Sequence, residues 1–230
     1  MCFSAGASFG ASALLGVAGV VAVTKAKTIP QRLFATIPFV FSVQQLAEGL
    51  LWLAIKNPGL EAGQSFLTYT FLVFAMMVWP VIIPFTIGLL EKDAKRKRMM
   101  NVLSGVGIMV FIGIGCVLLF YPVHVVATHH HLHYRFDFPL VIRKLIWLFD
   151  ILYFMATIIT PFISSIKRMK WLGIIFLISY LFATIFFKGF VVSVWCYFAA
   201  ILSIVVLWII AGLPKPTVKN FSFPPSSALQ

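Results

Sequence analysis

Seven apolar runs, at residues 5–24, 33–55, 65–90, 101–121, 145–166, 171–187 and 190–211, leave this chain few folds to choose from. Each is close to the roughly 17–25 residues that an α-helix needs to cross a bilayer, and in lipid a helix satisfies its own backbone hydrogen bonds. The polar stretches between the runs are too short to build a soluble domain. The expected fold is therefore an all-α integral membrane protein: a seven-transmembrane-helix bundle over 1–211, followed by a disordered cytoplasmic tail at 212–230. That tail, GLPKPTVKNFSFPPSSALQ, holds four prolines and has no hydrophobic periodicity. The first run has neither a basic segment before it nor a small-residue cleavage site after it, so it reads as a retained helix rather than a signal peptide.

Charge sets the expected direction of the chain. Of 18 Lys and Arg, 13 fall in the first, third and fifth connections and the tail, among them Lys25, Lys27, Arg32, Lys167 and Arg168. The densest group is the run EKDAKRKR, which reads as a loop facing anionic lipid. The positive-inside rule then places the N-terminus outside and the C-terminus in the cytoplasm. A net charge of +12 does not point to nucleic acid here, because the basic residues are dispersed between apolar spans in a chain that is 61% hydrophobic and 10% charged. The partner these features predict is the lipid bilayer of a cell membrane.

Polar groups inside the spans are the first candidates for function. In FSVQQLAEGLLW, Gln44, Gln45, Glu48 and Trp52 fall at i, i+1, i+4 and i+8 and so share one side of the second helix. An acidic residue at the bilayer centre costs roughly 2.5–3.5 kcal/mol on insertion scales, so Glu48 is expected to face the bundle and to have a partner. Asp150 is placed near the outer end of the fifth span, with Tyr153, Thr157 and Thr160 continuing its stripe. Ser193, Trp195 and Cys196 occupy the outer half of the seventh. These groups are expected to converge at one level and to line an outward-facing polar pocket.

The connection between the fourth and fifth spans changes period. In THHHLHYRFDFP, His129, His131, His133, Arg135 and Asp137 alternate with His130, Leu132, Tyr134, Phe136 and Phe138, the pattern of a strand with one wet face. The β-branched VHVVAT at 123–128 supplies a partner, which predicts a short outer β-hairpin between helices 4 and 5. Imidazole suits zinc and other transition metals, making His129, His130 and His133, with Cys2, the candidate metal ligands. No HExxH and no second Cys/His cluster completes a set of four.

Prolines at 38, 80, 84 and 161 predict irregular helices. Small residues at helical spacing predict close helix contacts: Ser8, Ser12, Gly16 and Gly19 in the first span, Gly105, Gly113 and Cys116 in the fourth, Ser193, Cys196, Ala200 and Ser203 in the seventh.

The segments MCFSAGASFGASALLG, IPFVFSVQQLAEGLLWL, THHHLHYRF and FVVSVWCYFAAILS together resemble an uncharacterised bacterial family of multi-pass membrane proteins beginning Met-Cys-Phe-Ser-Ala. The resemblance implies a multi-helix membrane fold, a bacterial inner-membrane location, and Cys2, Glu48, His130, Tyr134, Trp195 and Cys196 as positions of interest. It implies no reaction. From the residues, the favoured function is a transporter- or sensor-like protein whose pocket binds a small ligand or metal ion. A membrane-embedded, metal-dependent hydrolase acting on a lipid or small amphiphile, with Glu48 as base, is the alternative. A structural or assembly subunit is a third reading, and oligomer formation is left open.

Overall fold

A serine starts the first helix. The Ser4 hydroxyl accepts the Ala7 amide at 3.2 Å, satisfying one of the donors left over at a helix N-terminus, and α1 runs Ala5–Lys25. The computed structural model describes residues 4–128, 131–187 and 198–214. Helix α2, Ile29–Lys56, opens on the Thr28 hydroxyl, which accepts the Gln31 amide at 3.3 Å, and loses its regular winding at Thr36, two residues before Pro38.

The other prolines leave a larger mark. Helix α3, Glu61–Leu90, contains a π-helical turn at Val73–Val78, and α5, Leu140–Ile163, contains one at Met155–Ile159. Each turn ends one residue before the residue preceding or adjoining a proline, Pro80 in α3 and Pro161 in α5. A proline ring collides with the carbonyl four residues back, here that of Met76 or Thr157, and local widening of the helix moves that carbonyl aside.

Helix α4, Ala94–Phe120, is capped by Asp93, whose carboxylate accepts the Arg96 amide at 2.8 Å. Lys95 to Arg98 therefore form its first turns, so this part of the charged run is helical rather than the expected loop and the helix begins at Ala94 rather than at 101. The predicted hairpin follows. Strands β1, Val123–Thr128, and β2, His131–Phe136, pair antiparallel with Val123 opposite Phe136 and Thr128 opposite His131. Leu132 and Tyr134 are buried while Arg135 is exposed, as the alternation required. Tyr134 stacks on Phe71 of α3 at 5.3 Å, fixing the hairpin to the bundle. Helices α6, Met169–Phe186, and α7, Ala199–Gly212, complete the described chain.

Helices α1 to α6 are each long and apolar enough to cross a membrane, and α7 as described is a shorter apolar helix of 14 residues. The start of the expected seventh span, 190–197, and the expected tail beyond 214 lie outside the described residues. Large apolar side chains face outward: Leu14 is 72% exposed and Leu119 84%. In water such a surface would aggregate, whereas in lipid it is the solvated face.

Inside, α1 and α2 pack through small residues. Ser12 and Ser42 each donate to the other's carbonyl, at 2.9 and 2.8 Å, and the Phe39 ring lies where a Cβ on Gly19 would be. The buried face of α4 is Met100, Leu103, Gly107, Val110, Ile114 and Val117. Gly107 touches the Pro80 carbonyl and Gly113, of the expected stripe, lies against the Phe149 ring of α5, while Gly105 points into open space and Cys116 is exposed, so the close contacts on α4 follow the expected stripe only at Gly113. The core forms two groups. One, near the basic connections, includes Phe34, Met100, Met169 and Leu172; the other, beneath the hairpin, includes Leu51, Trp52, Phe71 and Leu132.

Candidate functional site

The two widened turns face each other. Tyr153, on the turn of α5 just before its π-helical segment, donates its hydroxyl hydrogen to the carbonyl of Ala75 in the π-helical segment of α3, at 2.9 Å. A π-turn leaves carbonyls displaced from their usual helical partners, and this phenol serves one of them. Beside that bond the bundle does not close, and a cavity of about 380 Å³ remains. Met76 of one turn and Thr157 of the other both line it. Phe41, Trp79, Phe176 and Leu202 of the core group near the basic connections form one end; Val110 and Ile114 of the hairpin-side group, with Phe136 of β2, form the other.

Polar groups enter this wall at few points. Asp150 lines the cavity and is exposed, and among the described residues it has no hydrogen-bond or ion-pair partner. It lies ten residues into α5, about 15 Å along the axis, because the helix begins at Leu140 rather than at the expected 145. Asp150 is thus near mid-helix and not at the outer end. Gln44 is fully buried, and its carbonyl oxygen accepts the Trp79 indole N–H at 2.9 Å, while the Trp79 ring stacks on Phe41 at 3.9 Å. The Thr157 and Thr184 hydroxyls donate back to the Tyr153 and Tyr180 carbonyls at 2.7 and 2.9 Å, so their hydrogens are committed within their own helices. Tyr180 of α6 sits edge-on to Phe154 at 5.4 Å.

Of the residues expected to line one pocket, the structure brings Gln44, Asp150 and Tyr153 together. Gln45, Glu48 and Trp52 are not in this wall. Glu48 is completely buried one turn beyond Gln44, and Gln45 donates to it at 3.3 Å. Trp52 is sealed in the hairpin-side core with its indole N–H unpartnered among the described residues, and Lys56 lies 5.2 Å from its ring. The reason is position along α2, since Gln44, Glu48 and Trp52 share one face. Bulky neighbours such as Leu51 and Phe71 close the bundle around this part of α2, whereas the proline-widened turns hold it open around Gln44.

Ser193, Trp195, Cys196, His129, His130 and Cys2 lie outside the described residues. His133 is half-buried on β2, opposite Val126. Among the described residues no three His, Cys, Asp or Glu side chains gather closely enough to hold a metal ion.

Two features escaped the sequence reading. Trp79 supplies a cavity wall and a hydrogen bond, and the only available signal was its place beside Pro80 within a span. Glu91, read as part of a charged loop, is 3% exposed between α3 and α4. Its carboxylate accepts the Lys92 and Asp93 amides at 2.9 and 3.0 Å, the Ser165 amide at 2.7 Å, and the Ser164 and Ser165 hydroxyls. Burial by itself would raise its pKa, but these bonds, led by the Ser165 hydroxyl, outweigh burial and bring it down to about 2. Arg96 adds a second tie, donating to the Ile163 carbonyl at 2.7 Å. The α3–α4 and α5–α6 connections are thus fastened together on the side opposite the hairpin.

A family model described as Family of unknown function (DUF6629) matches residues 1–220. The chain belongs to the DUF6629 family. The match spans every described element of this DUF6629 protein, so the cavity, the hairpin and the Glu91 clamp all lie within the family region. No curated protein and no solved structure matches the chain.

Proposed function

We propose that this DUF6629 protein is a membrane-embedded binding protein for a small ligand, transporter- or sensor-like, whose site is the cavity around Asp150. The observation that carries this reading is the coincidence of two proline-widened turns, a carboxylate near mid-helix with no partner among the described residues, and a hole of about 380 Å³ in one place. A helix bundle built only for packing has no need of an acid there, since replacing it by an apolar residue would favour insertion. Interrupted helices meeting near the bilayer midplane are a recurrent way of building transporter sites, because they offer displaced backbone groups to a bound molecule. The size falls within the roughly 300–1,000 Å³ of small-molecule pockets.

The bias of Lys and Arg supports an orientation with the amino end outside, the hairpin on the outer face and the Glu91 clamp in the cytoplasm. The membrane in question is a cell membrane, the bacterial inner membrane on the resemblance drawn from the sequence. An amino-terminal epitope should then be cleaved by protease added to intact cells and a carboxy-terminal one only after lysis; the reverse pattern would invert this orientation.

The binding reading is tested by what the protein carries. Wild-type and Thr184→Trp proteins, purified in the same detergent, are extracted with organic solvent and the extracts compared by mass spectrometry. Thr184 is half-buried in the cavity wall, so a tryptophan there fills the space. A small molecule present in the wild type and depleted in the folded variant supports the reading, and matching extracts overturn it.

A further inference from the structure

We propose that the occupant of the cavity is an organic ammonium cation: a compact apolar body bearing one positive charge, set against Asp150. This rests on the cavity being a ligand site, and it adds the chemical class.

Charge is the first reason. Among the described residues that line the cavity, Asp150 is the one charged side chain, and no Lys, Arg or His joins it. An anion would be repelled. A neutral apolar molecule would desolvate a carboxylate to which the described residues offer no hydrogen bond or counter-charge. A bound cation removes both difficulties.

The second reason is the wall itself. Phe149 precedes Asp150, and Tyr153 and Phe154 follow it by one helical turn, so aromatic rings flank the carboxylate on its own helix. Tyr180 closes the arrangement from α6, edge-on to Phe154 at 5.4 Å. Aromatic faces carry a negative quadrupole and attract cations, quaternary ammonium above all. Phe149 is held in place by a close fit, its ring occupying the space that a Cβ on Gly113 of α4 would take. An aromatic enclosure with one carboxylate is the usual chemistry for recognising an ammonium group on an apolar frame.

A bare metal ion fits poorly. It needs several oxygen, nitrogen or sulfur ligands, whereas among the described residues the wall offers a single carboxylate, no His and no Cys, and no three such side chains gather to share an ion. The ammonium could belong to a free amine or to a lipid headgroup, and the same recognition serves both.

The test uses full-length protein in nanodiscs made only of phosphatidylglycerol, which bears no ammonium. The probe is radiolabelled benzyltrimethylammonium, with its uncharged isostere neopentylbenzene and the anion phenylacetate as competitors. Saturable binding is expected in the wild type, weakened by about tenfold or more in Asp150→Asn, with neither competitor displacing the probe at equal concentration. The melting temperature of Asp150→Asn should not fall, so that a loss of binding is not a loss of fold. Competition by added phosphatidylcholine would mark a headgroup as the ligand, and its failure would mark a free amine; both support the proposal. Equal displacement by neopentylbenzene, preferential displacement by phenylacetate, or unchanged affinity in Asp150→Asn overturns the cationic class while leaving the cavity as a binding site. Binding unchanged in Thr184→Trp shows that the probe sits elsewhere and overturns the proposal. Absence of saturable binding by the probe also overturns it, and the extraction experiment then decides the cavity reading separately.

Discussion

The Tyr153 hydroxyl and the Ala75 carbonyl, 2.9 Å apart, join the loosely wound segment of α3 to the turn of α5 just before its own. The bond lets α3 and α5 stay widened without leaving that carbonyl bare in an apolar layer. Replacing Tyr153 by Phe keeps the ring and removes the donor. The expected result is a loss of roughly 0.5–1.5 kcal/mol in stability, read as a lower melting temperature in detergent. Unchanged melting would show that the carbonyl finds another partner within α3.

Close approach of α3 and α4 gives a sharper contrast. A Cβ at Gly107 would collide with the Pro80 carbonyl oxygen, a backbone atom that cannot swing away, whereas a Cβ at Gly105 meets nothing within 4 Å. Gly107→Ala should therefore destabilise by at least about 1–3 kcal/mol, as overpacked cores do. Gly105→Ala should be neutral or stabilising by up to about 1 kcal/mol through helix propensity alone. Parallel melting curves of the two variants check both. Equal effects would mean that α4 is rotated from the position described.

Gly105 and Gly107 also show where sequence reasoning reached its limit. Spacing along one helix identifies a stripe of small residues but not its rotation about the axis, which neighbouring helices determine. A related limit applies to Glu48, whose face on α2 is legible while its separation from the cavity, one turn along that face, depends on Leu51 and Phe71 of the packed core. Local patterns carried further. Alternation between Leu132, Tyr134 and the intervening polar residues is complete within six residues and marked the strand, and the β-branched 123–128 marked its mate. Asp150 stood out as an acid in an apolar run. Its depth did not, since the helix takes in Leu140 to Lys144, including two basic residues that a hydropathy window excludes. The carboxylate of Glu91 meets hydroxyls more than 70 positions away, and no local feature of the sequence announces such a pairing.

The hairpin should behave as a packed part of the core on one face and as a free surface on the other. Leu132 is fully buried against the bundle, while Arg135 is exposed and, among the described residues, pairs only with exposed Asp137, at 3.3 Å. Leu132→Ala is expected to cost about 2–5 kcal/mol and to open the 123–136 segment to limited proteolysis. Arg135→Ala should change stability by no more than about 0.5 kcal/mol, since a solvent-exposed pair contributes little. Equal protease sensitivity in the two variants would count against the docked hairpin.

Glu91 makes stability depend on pH in a direction that can be worked out. Its pKa falls from 4.5 to about 2 on folding because hydrogen bonds from the 164–165 connection and its own loop favour the carboxylate. The unfolded chain thus binds the proton more readily, and protonation favours unfolding. The stabilisation from this group is fully present above 4.5 and is lost progressively as pH falls toward about 2. Glu91→Gln removes the titrating group while keeping the shape, but its amide N–H₂ would face the Ser165 amide donor. The variant should be less stable than wild type at neutral pH, and its melting temperature should fall less steeply in acid, so the two curves converge. Thermal unfolding in detergent across that range measures this. Parallel curves would show that the clamp is held by packing between the connections rather than by the ionised carboxylate.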